Sequence, residues 1–198
     1  VISFLKSEYE FVLGCDPGPE HSAFALLDMW KREVIDVAYV PNVEFSKCTT
    51  FRSFTGLLTK SGATGKQFSH VLDVWFRKSA FVFEKCGVQA GGANAMVFET
   101  CMTAGEIRHL AGYMMNCYAF LPSDWRYILT GKGSANDTIV RNVLLTLAPN
   151  CDILTRSYST KAKKMLNLKK PITSHLRDAV GVAMASGFLD YRKGLELT

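Results

Sequence analysis

The sequence predicts an α/β fold: a mixed five-stranded sheet, a three-strand antiparallel meander plus two further strands, with helices on both faces. Three observations carry this. Three short apolar runs open the chain, separated by tight polar turns. The rest alternates segments of helical spacing with short apolar runs. Apolar residues make up 48% of the 198, enough to bury the core of one domain spanning 1–198.

The first strand is expected at residues 10–15 (EFVLGC), stopping at the turn Asp16-Pro17-Gly18. The second is expected at 22–27 (SAFALL) and the third at 34–40 (VIDVAYV). Residues 42–63 are polar and read as a loop or short helix. Phe68, Val71, Leu72, Trp75, Phe76 and Ala80 recur near helical spacing, predicting a helix over 65–85 that the glycine-rich stretch 87–94 ends. Residues 95–98 (AMVF) read as a fourth strand ending at Glu99. A second helix is expected over 102–120, its face carrying Ala104, Ile107, Leu110, Ala111, Met114 and Tyr118. The fifth strand is expected at 125–130 (WRYILT). Gly131-Lys132-Gly133 then turns into a helix that Ser134 could cap, running to about 147. Residues 150–170 look basic and irregular, and a last helix is expected over 171–192, with Thr173 or Ser174 near its N-cap.

The formal charge of +5 and pI near 8.9 permit a polyanionic partner without requiring one. No run approaches the roughly 20 apolar residues that span a bilayer, so no membrane partner is expected. Cys15, Cys48, Cys86, Cys101, Cys117 and Cys151 are scattered, without C-x-x-C, which argues against zinc and for a reducing compartment.

Chemistry concentrates on acidic residues. Asp16 ends the first expected strand, Glu99 the fourth, and Asp178 lies in the last helix, three residues after His175 and on the same face. Two carboxylates at neighbouring strand tips repel unless a cation lies between them. Such oxygen-rich sets suit Mg²⁺ or Mn²⁺. Each residue also has a plainer reading. Asp16 could start a turn, Glu99 could favour a helix dipole, Asp178 could cap, and His175 could make a structural hydrogen bond. Glu20 and His21 follow the first turn closely and could approach the site, or simply be solvated.

Taken in order, these segments resemble the RuvC family of Holliday-junction resolvases, in the RNase H-like, retroviral-integrase superfamily. Gly14-Cys15-Asp16-Pro17-Gly18 is similar to the family's first catalytic motif, followed by an apolar strand, SAFALLD. The strand expected to end at Glu99 resembles the second motif. Gly131-Lys132-Gly133-Ser134-Ala135 is similar to a glycine turn into a DNA-facing helix, and residues 174–183 (SHLRDAVGVA) resemble the last motif. The likeness runs from about Phe11 to Ser186. It implies an RNase H-like fold, branched DNA and especially four-way junctions as substrate, a homodimer, and two Mg²⁺ per site with Mn²⁺ able to substitute. It implies ligands Asp16, Glu99, Asp178 and His175, with hydrolysis through a metal-activated water. Its compartment would be cytoplasmic: nucleoid-associated, or the host cytoplasm for a phage-encoded member.

Departures from the family pattern matter too. Residues 31–87 form a longer stretch than expected, read as a loop insertion. Asp137 stands where members often carry Lys, so Lys132, Ser134, Arg141, Lys161, Lys163 and Lys164, with Lys169 and Lys170, would supply the phosphate contacts. Met102 stands three after Glu99, where the family tends to place an aromatic wedge. The same acids would serve a flap or branch nuclease or an RNase H. A non-catalytic DNA-binding relative would be expected to lose some of them. An actin-like or sugar-kinase ATPase would need a second domain and a second glycine loop, neither of which the sequence has room for.

Overall fold

The structure, a computed structural model, describes residues 9–65, 67–85, 95–112, 115–170 and 172–188. The meander forms as expected from β1 (Phe11–Pro17), β2 (His21–Asp28) and β3 (Glu33–Pro41). On the other side of β1 lie β4 (Ser79–Glu84) and β5 (Asn116–Phe120), both parallel to it, so the sheet order is β3-β2-β1-β4-β5.

Alternation along the strands divides the core in two. Leu13, Cys15, Phe81 and Phe83 pack toward α1 (Phe51–Ser61), α2 (Gln67–Trp75) and α3 (Ala95–Gly112). Val12, Ala80 and Val82 pack toward α4 (Pro122–Thr130), α5 (Asp137–Leu147), α6 (Cys151–Met165) and α7 (Thr173–Ser186). Buried strands in the middle of a covered sheet read as continuous apolar runs, as β1, β2 and β4 do.

The fourth and fifth strands lie elsewhere than expected. Residues 95–98 begin helix α3 and are not a strand. The fourth strand is Ser79–Glu84, inside the stretch expected to be helical. Residues 125–130 belong to α4, where Pro122 stands at the helix start and Gly131 closes it with φ +74°. The fifth strand is Asn116–Phe120, at the end of what read as one helix. A short apolar run fits helix or strand equally, and tertiary packing decides between them at both places. Residues 42–63 hold a 3₁₀ turn and α1, capped reciprocally by Thr50 and Ser53, so the described residues of this stretch, 31–65 and 67–85, are largely packed strands and helices. Residues 151–165 are helical, not irregular, and α5 is capped by Asn136, whose side chain accepts from Thr138 N and Ile139 N, not by Ser134. The glycine-rich stretch 87–94, Met114, and residues 171 and 189–192 of the last expected helix lie outside the described residues.

Helix α7 lies across β1 and is buried along almost its whole length after Leu176. Gly14 permits this. A Cβ there would stand 2.1 Å from the Ala179 carbonyl oxygen and 2.7 Å from Ala183 Cβ. Gly14→Ala should therefore destabilise the fold by about 3 kcal/mol, the upper part of the range for overpacking a core. Urea unfolding would measure it, and an unchanged midpoint would contradict this seating of α7.

Candidate functional site

Asp16 and Glu84 come together because β1 and β4 are parallel neighbours. The register pairs Cys15 with Phe83, which sets Asp16 and Glu84 side by side one step further on. Both belong to the alternate set that includes Val12, Gly14, Ala80 and Val82, and so face α7. From α7, His175 and Asp178 look back at them. His175 Nδ1 lies 2.8 Å from Asp16 Oδ2. An ionised carboxylate only accepts, so Nδ1 carries the proton in this bond and Nε2 keeps its lone pair in the neutral ring.

Two consecutive residues of α4 complete the group. Trp125 Nε1 donates to Glu84 Oε2 at 2.7 Å. Arg126 Nη2 stands 3.6 Å from Asp178 Oδ2 and 3.8 Å from Asp137 Oδ1, while Nη1 donates to the Ala135 carbonyl. Arg126 Nε is buried with no hydrogen-bond partner among the described residues. The guanidinium thus leans on the acids at more than hydrogen-bond distance.

The electrostatics follow from crowding. Burial, then the charge of Asp16, push Glu84 up to about 8. The same causes, in the same order, push Asp178 up to about 7. The hydrogen bond to Asp16 raises His175 above the ordinary histidine value, against burial. Beyond His175, the Tyr39 ring lies 6.3 Å away, and His21 stacks on Tyr39 at 5.1 Å. Burial pushes Tyr39 up to about 12 and His21 down. His21 thus reaches the group only through Tyr39, and Glu20 is exposed.

Two acids held above their ordinary range beside a third carboxyl and one imidazole are the chemistry that accepts a hard divalent cation. As placed, among the described residues no three His, Cys, Asp or Glu side chains close around one ion. The His175–Asp16 bond and the loose Arg126–Asp178 contact are what a cation would compete with.

Glu99, expected at a strand tip, is exposed on α3; the strand-end carboxylate beside Asp16 is Glu84. Met102, 75% exposed, was expected as a wedge by its offset from Glu99, and the same offset from Glu84 falls at Gly87, outside the described residues. Lys132 and Ser134 are exposed in the α4–α5 turn, and Lys161, Lys163 and Lys164 are exposed on α6. Arg141 is held bidentately by Asp152 at 2.8 and 2.9 Å, so its charge is already paired. Sequence reasoning missed Glu84, Trp125 and Arg126. The signal for Glu84 was the run SAFVFE, aromatic, β-branched and ending on an acid. An open groove of about 450 Å³, lined by Gly105, Arg108, His109 and Gly112, lies on α3 instead, and holds none of these acids. The acids mark the chemistry better than the hollow does.

No family model and no curated protein sequence matches the chain. Solved structures do. The chain is similar to the Thermus thermophilus RuvC structure at 20% identity and TM-score 0.56, over 93% of this chain and 96% of that one. It is similar to T. thermophilus RuvC in complex with Holliday junction substrate at 18% identity and TM-score 0.55, over 91% and 94%. The fold is RuvC-like, and the mixed five-stranded sheet flanked by helices is that of the RNase H-like class.

The raised acids make a stability prediction. A carboxyl with a raised folded pKa holds a proton that the unfolded chain has released above about 4.3, so its contribution is present at low pH and lost as pH rises. For Glu84 the window closes near 8 and for Asp178 near 7, and His175, also raised, acts in the same direction. With chelator present, the melting temperature should fall by at least about 5 °C from acid pH to above this window. Glu84→Gln should flatten much of that slope; a wild-type slope in the variant would remove Glu84 as its source.

Proposed function

We propose that the chain is a metal-dependent endonuclease that cuts branched DNA, four-way junctions above all. The single observation that supports it best is the pairing of Asp16 and Glu84 at adjacent parallel strand ends, faced by His175 and Asp178. The fold shared with a protein solved on a Holliday junction supports the substrate class. In this reading Asp16, Glu84 and Asp178 supply oxygen ligands to Mg²⁺, or Mn²⁺ in its place, and Glu84 takes the role first read at Glu99. When bound, such ions lower the pKa of a water and stabilise the leaving oxygen of a phosphodiester.

The chain's own residues do the rest. Asp16 fixes the His175 ring through Nδ1, so Nε2 is the nitrogen that can accept a proton or a metal. Arg126 balances Asp178 until a cation replaces it. Lys132 and Ser134 lie in an exposed turn before α5, and Lys161, Lys163 and Lys164 line the outside of α6, where each can meet phosphate. Among the described residues no helix is long and apolar enough to cross a membrane.

A second copy fits the outer face of α3. The apolar face read from the sequence, with Ala104 and Ala111, could serve a second copy or pack on the sheet, and its residues Ile107, Leu110 and Ala111 pack in the core. Its outer face carries Phe98, Met102, Gly105, His109 and Gly112, all exposed and spaced alternately four and three apart, the spacing of a helix-pairing seam. Phe98 is 62% exposed. A junction offers two equivalent strands, which a two-fold dimer would meet with two sites.

Two outcomes are expected. Glu84→Gln should lower Mg²⁺-dependent cleavage of a four-way junction by at least about 100-fold while junction binding persists, and Glu99→Gln should stay within about twofold of wild type. The reverse pattern would return the role to Glu99. Separately, Phe98→Glu combined with Met102→Glu should convert a dimer to a monomer in light scattering; a wild-type chain that is monomeric and cuts duplex, flap and junction alike would leave a nuclease but not a resolvase.

A further inference from the structure

Helix α4 is not a strand of the sheet, yet it places two consecutive side chains on two different acids: Trp125 on Glu84 and Arg126 on Asp178. The two donors differ in kind. Arg126 brings charge at a loose distance. Trp125 brings a neutral N–H at 2.7 Å, from an indole with no exposed surface.

The indole is fully buried and held by two contacts on its ring. Gly181 of α7 lies under it, and a Cβ there would stand 2.6 Å from Trp125 Cζ3. The Arg126 guanidinium lies over the ring, 5.1 Å from its centroid. Trp has one polar atom, a donor. That atom is aimed at the longest of the three acid side chains. Glu has one rotatable bond more than Asp, so Glu84 needs an anchor that Asp16 and Asp178 need less.

We infer that Trp125 is a positioning residue, holding the Glu84 carboxylate by one oxygen so that the group is arranged for a divalent cation before the cation arrives. The inference rests on the metal reading above. A neutral donor is suited to this because it orients the carboxyl group without placing a positive charge where the ion must sit. A lysine or arginine at the same place would do both. Partners that orient metal ligands in this way are worth about 10- to 100-fold in metal affinity.

The test uses the full chain. Mn²⁺ binding by calorimetry should be about tenfold weaker in Trp125→Phe, which keeps an aromatic ring in the core and removes the N–H. Gly181→Ala, which keeps the N–H but pushes the ring, should move affinity the same way. With ¹⁵N-labelled tryptophan the chain has three indole signals, from Trp30, Trp75 and Trp125. The one that vanishes in Trp125→Phe should shift saturably with Mg²⁺ and also in Glu84→Gln, while those of Trp30 and Trp75 stay in place. A folded Trp125→Phe that binds Mn²⁺ within about twofold of wild type overturns the inference and leaves the metal reading intact. A wild-type chain that binds no Mn²⁺ overturns the metal reading and this inference with it. If Trp125→Phe does not fold, the wild-type spectrum decides: indole signals that all stay unmoved at saturating Mg²⁺ overturn it.

Discussion

The contact on which the rest depends is backbone against backbone, where α7 crosses β1 at Gly14. With no side chain at Gly14, the helix comes near enough for the Ala179 carbonyl to occupy the space of a Cβ. That closeness sets where three other residues of α7 fall. His175 meets Asp16, Asp178 faces the same charge, and Gly181 receives the Trp125 ring. A larger residue at Gly14 would lift the helix, and each of those contacts would lengthen together. The sheet meanwhile supplies what α7 cannot: two parallel strands whose ends put Asp16 beside Glu84.

Around this frame, charge is arranged with little to neutralise it. Glu84 and Asp178 are both held above the ordinary carboxylate range, by burial first and by Asp16 second. Arg126 offsets them only in part, from 3.6 Å at Asp178. Asp152, by contrast, in the first turn of α6, is hydrogen-bonded by Arg141 and bridged by Arg156, and lies below its ordinary value. Asp152 is thus paired by two cations, while Glu84 and Asp178 stay above their ordinary range. Perturbed groups gathered in one place mark a working site more often than a structural one, and here geometry and charge select the same residues.

Much of this was legible from residues alone. The three-strand meander follows from apolar runs broken by short turns, and DPG marks the end of β1 whatever the family. The α7 segment announces itself by an apolar run too small to be anything but tightly packed: Ala179, Gly181, Ala183 and Ala185. The middle of the chain was not legible, for a physical reason. Phe68, Val71 and Leu72 do form a helix, and Ala80 falls on the same period by coincidence, so SAFVFE was absorbed into α2's pattern and Glu84 with it. AMVF then read as the missing strand, with Glu99 at its tip, where the structure has the start of α3. The helical state of α4 was legible after all: Leu-Pro-Ser-Asp before Trp125 and Gly131 after Thr130 are helix punctuation at both ends. Arg141 shows the other limit, since composition counts a cation but not the Asp152 already holding it.

The His175–Asp16 hydrogen bond joins residues 159 apart in the chain. Asp16 belongs to the first strand and His175 to the last described helix, and between them every other element must take its place. The meander, made of neighbours, can pair early in synthesis, but it carries only one of the acids. Long-range contacts of this kind form late, after shorter loops have closed. A growing chain therefore passes through most of its length without an assembled group of acids. The group of acids is assembled only when α7 has docked, which makes it a property of the whole fold and of no smaller part of it.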